Sequence, residues 1–460
     1  MGETRDLLHR TADLAADFLE SLDDRPVFPE AGPDELRSAL GGPLPEESSE
    51  PAKVVEELVA AAEPGVVAMP SGRYFGFVIG GAVPASLAAD WLTSAWDQNA
   101  GLFVGGPAAA VVEEVAGAWL AELLAIPPEA SFGFVTGSQM AHVTALAAAR
   151  HHVLSEAGWD VNQDGLAGGP PIRVLVGEKS HITVERALRF LGIGRSSIVR
   201  VAADAQGRMR AEALLETLGG DGGPTIVCVQ AGEVNTGSFD PLAEIVPAAH
   251  AGGAWVHVDG AFGLWAAASP KLRQLASGAE LADSWAVDAH KWLNVPYDCG
   301  VAFCRHPAAH RAAITASAEY LVQDDRGLRD QVDWTPEFSR RARGFATYAA
   351  LRSLGRSGVI ELIERCCEHA RGLADGLVDR PGVELLNEVV LNQVLFRYES
   401  DERTDDVLRR VQESGEAWMS GTVWEGRKAI RLSVSNWQTS EADVQRTLDA
   451  FAYAGQAPAR

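Results

Sequence analysis

Apolar residues change their spacing along the chain. Over residues 3–22, Leu7, Leu8, Leu14, Ala15, Phe18 and Leu22 fall on one stripe, which predicts an amphipathic helix. The prolines of "RPVFPEAGPDEL" end that helix and begin an extended arm, which packs either on its own domain or on a second subunit. From about residue 107, short apolar runs alternate with helical stretches. "SFGFVTG" precedes a helix at 138–150, and "IRVLVG" precedes another at 181–191. "TIVCVQAG", "AWVHVDG" and "GVAFCR" are further strands. Continuous Val/Ile/Leu runs set between helices predict an α/β domain whose largely parallel sheet is covered on both faces. After about residue 349 the order changes to a long helix ("IELIERCCEHARGLADGL"), two strands ("VLFRYE", "AIRLSVS") and a helix opened by Ser440 with Asp443 in capping-box register. Three regions follow: an N-terminal helical arm at 1–106, a large domain at 107–348 and a small α+β domain at 349–460.

Composition narrows the function classes. A net charge of −24 opposes binding to nucleic acid or to an anionic membrane. Apolar stretches are interrupted, by Glu113 and Glu114 in "AAAVVEEVAGAWLAELLAI" and by Pro84 and Asp90 after Phe77, so no membrane span is expected. The charged start "MGETRDLLHR" lacks an apolar secretory core, and cytoplasmic residence is the expectation. The five cysteines are odd in number and unpaired in spacing, which reads as buried thiols without a disulfide framework or a metal site.

Only five of the 39 basic residues are lysines, and one of them, Lys291, lies between His290 and Trp292 in "SWAVDAHKWLNVPYDCG". In an α/β sheet, ligands gather at the carboxyl ends of strands. Asp259 ends "AWVHVDG", Lys291 follows "SWAVDAH", and Gly137, Ser138 and Gln139 form a strand-to-helix junction suited to an anion. An amine, a carboxylate and a phosphate cradle together are what pyridoxal 5'-phosphate (PLP) requires. The lysine forms a Schiff base with the aldehyde, the aspartate keeps the pyridine nitrogen protonated, and the helix terminus holds the phosphate. A guanidinium stays protonated, so arginine is no substitute for the lysine.

These residues also resemble a known family. "SWAVDAHKW" is similar to the lysine signature of the group II PLP-dependent amino-acid decarboxylases, which act on aromatic amino acids, histidine or glutamate. "RPVFPEAGPDEL", "SGRYFGFV", "GPAAAVVEEV", "EKSHITVERALRFLG" and "RLSVSNWQTSEADV" extend the resemblance over most of the chain. It implies the fold-type I architecture, a mostly parallel seven-stranded sheet with an N-terminal arm and a small C-terminal domain. It makes Lys291 the covalent PLP attachment and Asp259 the pyridinium partner, with His181 over the ring, Ala261 beneath it and His290 beside the phosphate. Gly137 and Ser138 match the phosphate-binding turn, and Asn235 or Thr236 is the candidate for the ring oxygen. The resemblance further implies a homodimer, with segment 95–110 reaching into the partner's site, and decarboxylation of an L-amino acid to its amine and CO2.

Two departures leave the outcome open. Aligned on Trp334 and the paired arginines of "DWTPEFSRRAR", the family's loop tyrosine falls at Gln331, and a neutral amide is not a useful general acid. Tyr320, His181 or a partner residue is then the donor, or the reaction is that of a decarboxylation-dependent aldehyde synthase, an aminotransferase or another PLP lyase, or turnover has been lost. In "QAGEVNTGSFDPL", Glu233 is expected to point away from the ring. Substrate choice is the least legible feature. Trp334, Phe103, Phe75 and Tyr74 are candidates for an aromatic pocket or for plain core. Arg73, Arg340 and Arg341 are candidates to grip an acidic substrate or to pair with the chain's own carboxylates. The family's substrate distribution favours an aromatic amino acid.

Overall fold

The computed structural model describes residues 2–29, 31–219, 222–315 and 327–456. Tyr320 lies outside them. The large sheet comprises β1 (Ser131–Val135), β2 (Arg173–Gly177), β3 (Ile198–Val201), β4 (Thr225–Gln230), β5 (Trp255–Asp259), β6 (Ser284–Asp288) and β7 (Gly300–Cys304). These seven strands are ordered β1-β7-β6-β5-β4-β2-β3. β7 runs antiparallel to both β1 and β6, and the other pairs are parallel. Every residue of β4, β5 and β6 is buried, as continuous apolar runs require when helices cover both faces. Val174, Val176, Leu188 and Trp255 pack on one side, and Val227, Val258, Trp265 and Trp285 belong to a separate and larger core.

This order positions the site. Parallel pairing aligns the carboxyl ends of β4, β5 and β6, so Asp259 lies opposite Gln230 on one side and Ala286 on the other. The reversed β7 starts where β1 and β6 end, with Gly300 opposite both Val135 and Asp288. A Cβ on Gly300 would stand 2.5 Å from the Gly137 Cα, so the absent side chain is what lets the end of β1 approach the end of β6. Helix Ser138–Glu156 therefore starts beside Asp288.

The second sheet is antiparallel, with β8 (Glu384–Leu385), β9 (Gln393–Arg397), β10 (Ser420–Trp424) and β11 (Arg427–Ser433) in the order β10-β11-β9-β8. The long helix Gly344–Val378 leads into it and is interrupted at Gly355, where φ is 60°. The expected capping box before helix Glu441–Gln456 is present, with Ser440 N donating to Asp443 Oδ2 at 2.9 Å and Asp443 N donating to Ser440 Oγ at 3.3 Å. The predicted first helix spans Gly2–Glu20 and buries none of its residues, leaving Leu8 and Leu19 exposed. No helix is long and apolar enough to cross a membrane among the described residues.

Candidate active site

β6 ends in Asp288, and the chain turns immediately so that Lys291 folds back over it. Lys291 Nζ lies 3.0 Å from Asp288 Oδ2. The other oxygen, Oδ1, accepts the Ser138 N–H at 2.6 Å and faces His290 Nε2 at 3.6 Å. Burial opposes the Asp288 charge, but Lys291, His290 and the Ser138 contact hold its carboxyl below the ordinary value. His290 accepts the Cys299 N–H on Nδ1 at 3.2 Å and stacks on Tyr297 with ring centroids 4.4 Å apart. Gly80 backs this turn so closely that a Cβ there would overlap the Lys291 carbonyl oxygen.

One strand over, Asp259 is 7% exposed and its Oδ1 accepts the Ala261 N–H at 3.2 Å. Burial alone would raise its pKa, but His142, His181 and Lys291 together hold it well below the usual carboxylate range. The carboxylate is thus kept charged where water is excluded. His181 caps helix Ile182–Phe190, its Nδ1 lying 2.7 Å from Thr183 Oγ1. Its pKa is lowered by burial, opposed by Asp259, with Lys291 adding to the fall.

The remaining predicted residues divide. Gly137 adopts φ 151°, and a Cβ on it would come 2.9 Å from His290 Cε1. Ser138 Oγ and Gln139 Oε1 are buried without partners, while Gln139 Nε2 donates to Thr183 O at 3.2 Å. Asn235 Oδ1 accepts from Thr422 Oγ1 at 3.0 Å and from Arg431 Nη1 at 3.4 Å, which joins the loop after β4 to the second sheet. The Thr236 hydroxyl is occupied, donating to Gln206 O at 2.7 Å and standing 2.9 Å from Ser238 Oγ. Glu233 folds back to accept the Asn235 and Thr236 N–H groups at 2.7 and 2.8 Å.

The candidate substrate arginines are committed to the chain itself. Arg340 pairs with Glu113 at 2.8 Å, Arg341 with Asp90 at 2.7 Å, and Arg73 donates to the carbonyls of Leu22, Asp23, Arg25 and Glu416. Phe75 is core, Tyr74 stacks on Trp418 with centroids 5.1 Å apart, and Trp334 packs edge-on against His310. Gln331 is 1% exposed in a turn whose next residue bonds Gly101 O, and its amide has no hydrogen-bond partner. Three residues not singled out from the sequence also belong here. Asp288 holds the lysine, His142 faces Asp259, and Arg431, 8% exposed with Nε unpartnered, adds its charge near His181. The spacing Asp288-x-x-Lys291 at a strand end was the available signal for the first.

The donor set suits PLP. An orphaned buried hydroxyl at a helix N-terminus offers a phosphate oxygen a partner, a buried ionised carboxylate offers one to a ring N–H, and Lys291 supplies the amine. Residues 33–399 match the model of the pyridoxal-dependent decarboxylase conserved domain. The chain belongs to that family. This decarboxylase is 32% identical to the L-2,4-diaminobutyrate decarboxylase of Rhizobium meliloti over 384 residues, 80% of this chain and 75% of the relative. It is 28% identical to the aromatic-L-amino-acid decarboxylase of Mus musculus, covering 94% and 93%. A crystal structure of Oryza sativa TDC with PLP and tryptamine superposes with a TM-score of 0.93 at 25% identity, covering 99% of this chain and 98% of that one. The decarboxylase is therefore a PLP-dependent carboxy-lyase of fold-type I architecture.

Proposed function

We propose that the decarboxylase converts an L-amino acid, with an aromatic side chain favoured, to its amine and CO2. What carries this reading is the convergence of the Lys291 amine, the ionised Asp259 carboxylate and the orphaned Ser138 hydroxyl at the aligned carboxyl ends of β1, β5 and β6. Bound there, PLP supplies an aldehyde for the lysine amine and a ring that withdraws electrons from the substrate's Cα. Asp259 holds the proton on the ring nitrogen. Gly137, Ser138 and Gln139 would hold the phosphate together with His290, and Ala261 and His181 would hold the ring. Asn235 would meet the ring oxygen through the second hydrogen of its amide, the first being given to Glu233 Oε1 at 3.0 Å, whereas the single Thr236 hydroxyl hydrogen is given to Gln206 O. Arg431 is the cation available to a substrate carboxylate.

The aromatic preference draws on the aromatic-L-amino-acid decarboxylase relatives and on the internal pairing of Arg73, Arg340 and Arg341, which leaves an acidic side chain without those grips. The R. meliloti relative favours a second reading, a short diamino acid. Gln331 at the loop-tyrosine position keeps aldehyde synthesis as the alternative outcome. The test is a panel of amino acids assayed for CO2 and amine, with and without oxygen. Amine from tryptophan, tyrosine or phenylalanine supports the proposal. Amine from diaminobutyrate alone moves the substrate class, and aldehyde, ammonia and peroxide without amine move the reaction. We also propose a cytoplasmic homodimer, whose second copy covers the half-buried stripe of helix Gly2–Glu20, and a stable active monomer on gel filtration would refute it.

A further inference from the structure

Asp259 ends a buried polar chain that none of these roles uses. His142 stands one turn beyond Ser138 on helix Ser138–Glu156 and is 0% exposed. Its Nε2, a buried atom that makes no hydrogen bond within the chain, faces Asp259 Oδ2 at 3.5 Å. Its Nδ1 lies 2.9 Å from His257 Nε2, and His257 Nδ1 lies 2.9 Å from Ser284 Oγ. Trp255 Nε1 donates to the same Ser284 Oγ at 2.9 Å. His257 and Ser284 are also 0% exposed, and Trp255 is 2% exposed.

The chemistry of the two ends sets the direction of this chain. An indole N–H only donates, and an ionised carboxylate only accepts. With neutral imidazoles, Ser284 accepts from Trp255 and donates to His257 Nδ1. His257 Nε2–H then donates to His142 Nδ1, which leaves the His142 Nε2–H directed at Asp259 Oδ2 across 3.5 Å. Every bond points toward the carboxylate, and each polarises the next. Burial beside His142 pushes the His257 imidazole down to about 3, so that link stays neutral. The other titratable groups around Asp259 are His181, Lys291 and, on β4, Cys228. Two imidazoles inside an otherwise apolar layer are costly unless bonded, and apolar side chains would fill that volume at lower cost.

We propose that His142 is a positioning residue, the last donor of a Trp255–Ser284–His257–His142 chain that keeps Asp259 ionised and turned toward the ring nitrogen of PLP. This rests on Asp259 being the partner of that nitrogen. Without the His142 hydrogen the carboxylate becomes the stronger base, by about one to two pH units, and the shared proton moves from the ring nitrogen toward Asp259.

The test uses holoenzyme reconstituted with PLP carrying ¹⁵N at the ring nitrogen, with the ¹⁵N chemical shift as readout. Wild type is expected at the pyridinium position and Asp259→Asn at the neutral-pyridine position. His142→Phe should be displaced toward neutral pyridine, and His142→Gln, whose amide restores a donor, should return toward wild type. If His142→Phe keeps the wild-type shift while Asp259→Asn loses it, the donor chain is overturned and the Asp259 reading survives. If Asp259→Asn also keeps it, the Asp259 reading fails and takes the proposal with it. Side-chain ¹⁵N spectra of the wild-type chain give a second measurement that needs no variant to fold. Protons on Nε2 of both His142 and His257 are expected, and a proton on Nδ1 of either ring overturns the chain.

Discussion

Replacing Arg340 by Met removes the ion-pair partner of Glu113, a fully buried carboxylate that Arg329 and Arg343 influence only from farther away. Arg340 Nη1 lies 2.8 Å from Glu113 Oε1 and 3.1 Å from Oε2, and both side chains are 1% exposed. The same guanidinium donates to Ala100 O at 2.7 Å and to Phe134 O at 2.6 Å, joining the segment before helix Pro107–Leu123 to β1. Removing one partner of a buried pair costs about 3–5 kcal/mol, because the remaining charge is stranded, whereas replacing both by apolar groups of similar volume is near neutral. Arg340→Met should therefore lose about 3–5 kcal/mol against urea, and Arg340→Met with Glu113→Leu should recover the share due to the stranded carboxylate. Burial raises the Glu113 pKa, and Arg340, ahead of Arg329 and Arg343, opposes the rise, so the single variant raises it further. A group whose folded pKa is raised favours the folded state at low pH, so the deficit should shrink toward pH 4 to the share of the two orphaned carbonyls and grow as pH rises above the unfolded value of about 4.3. A single-variant loss below about 1 kcal/mol, or a double variant no better than the single, would refute the reasoning.

Other outcomes follow from the same kind of contact. Burial pushes His310 down to about 4, with its ring 2.9 Å from Ser131 Oγ and 3.0 Å from Trp334 O. The folded chain then binds fewer protons than the unfolded one between about pH 4 and 6.5, so stability falls as pH drops through that window, by on the order of 3 kcal/mol for this group. Urea midpoints across that range check it, and His310→Asn should flatten the fall. Gly137→Ala sets a Cβ 2.9 Å from His290 Cε1 at a positive φ, which should weaken PLP binding, read as the dissociation constant in a cofactor titration. All five cysteines are free and buried, with Cys299 pushed up to about 12 by burial, so a thiol reagent should label none until the chain unfolds.

The strand ends were legible because their signal is local. Short, mainly apolar runs ending in Asp259, or leading into Ser138 and Lys291, show both the strand and its polar tip. β3 was not, because Arg200 interrupts a run of only four residues at the edge of the sheet. The fates of Arg340 and Arg341 depend on residues some 227 and 251 positions away, and nothing near them in the chain tells a substrate grip from an internal pair. His142 was hidden for a related reason. One turn after Ser138 counts only once the helix is known to present that face to β5. Thr236 fitted the ring-oxygen role by position, but a loop residue's hydroxyl goes to whichever acceptor the fold brings near, here Gln206 O.

The most direct test of the account is to reduce the PLP-loaded decarboxylase with borohydride, digest it and locate the pyridoxyl group by mass spectrometry. The label is expected on the peptide containing Lys291, whose amine stands 3.0 Å from Asp288. A label on Lys53, Lys179, Lys271 or Lys428, or no label on any lysine, would contradict it.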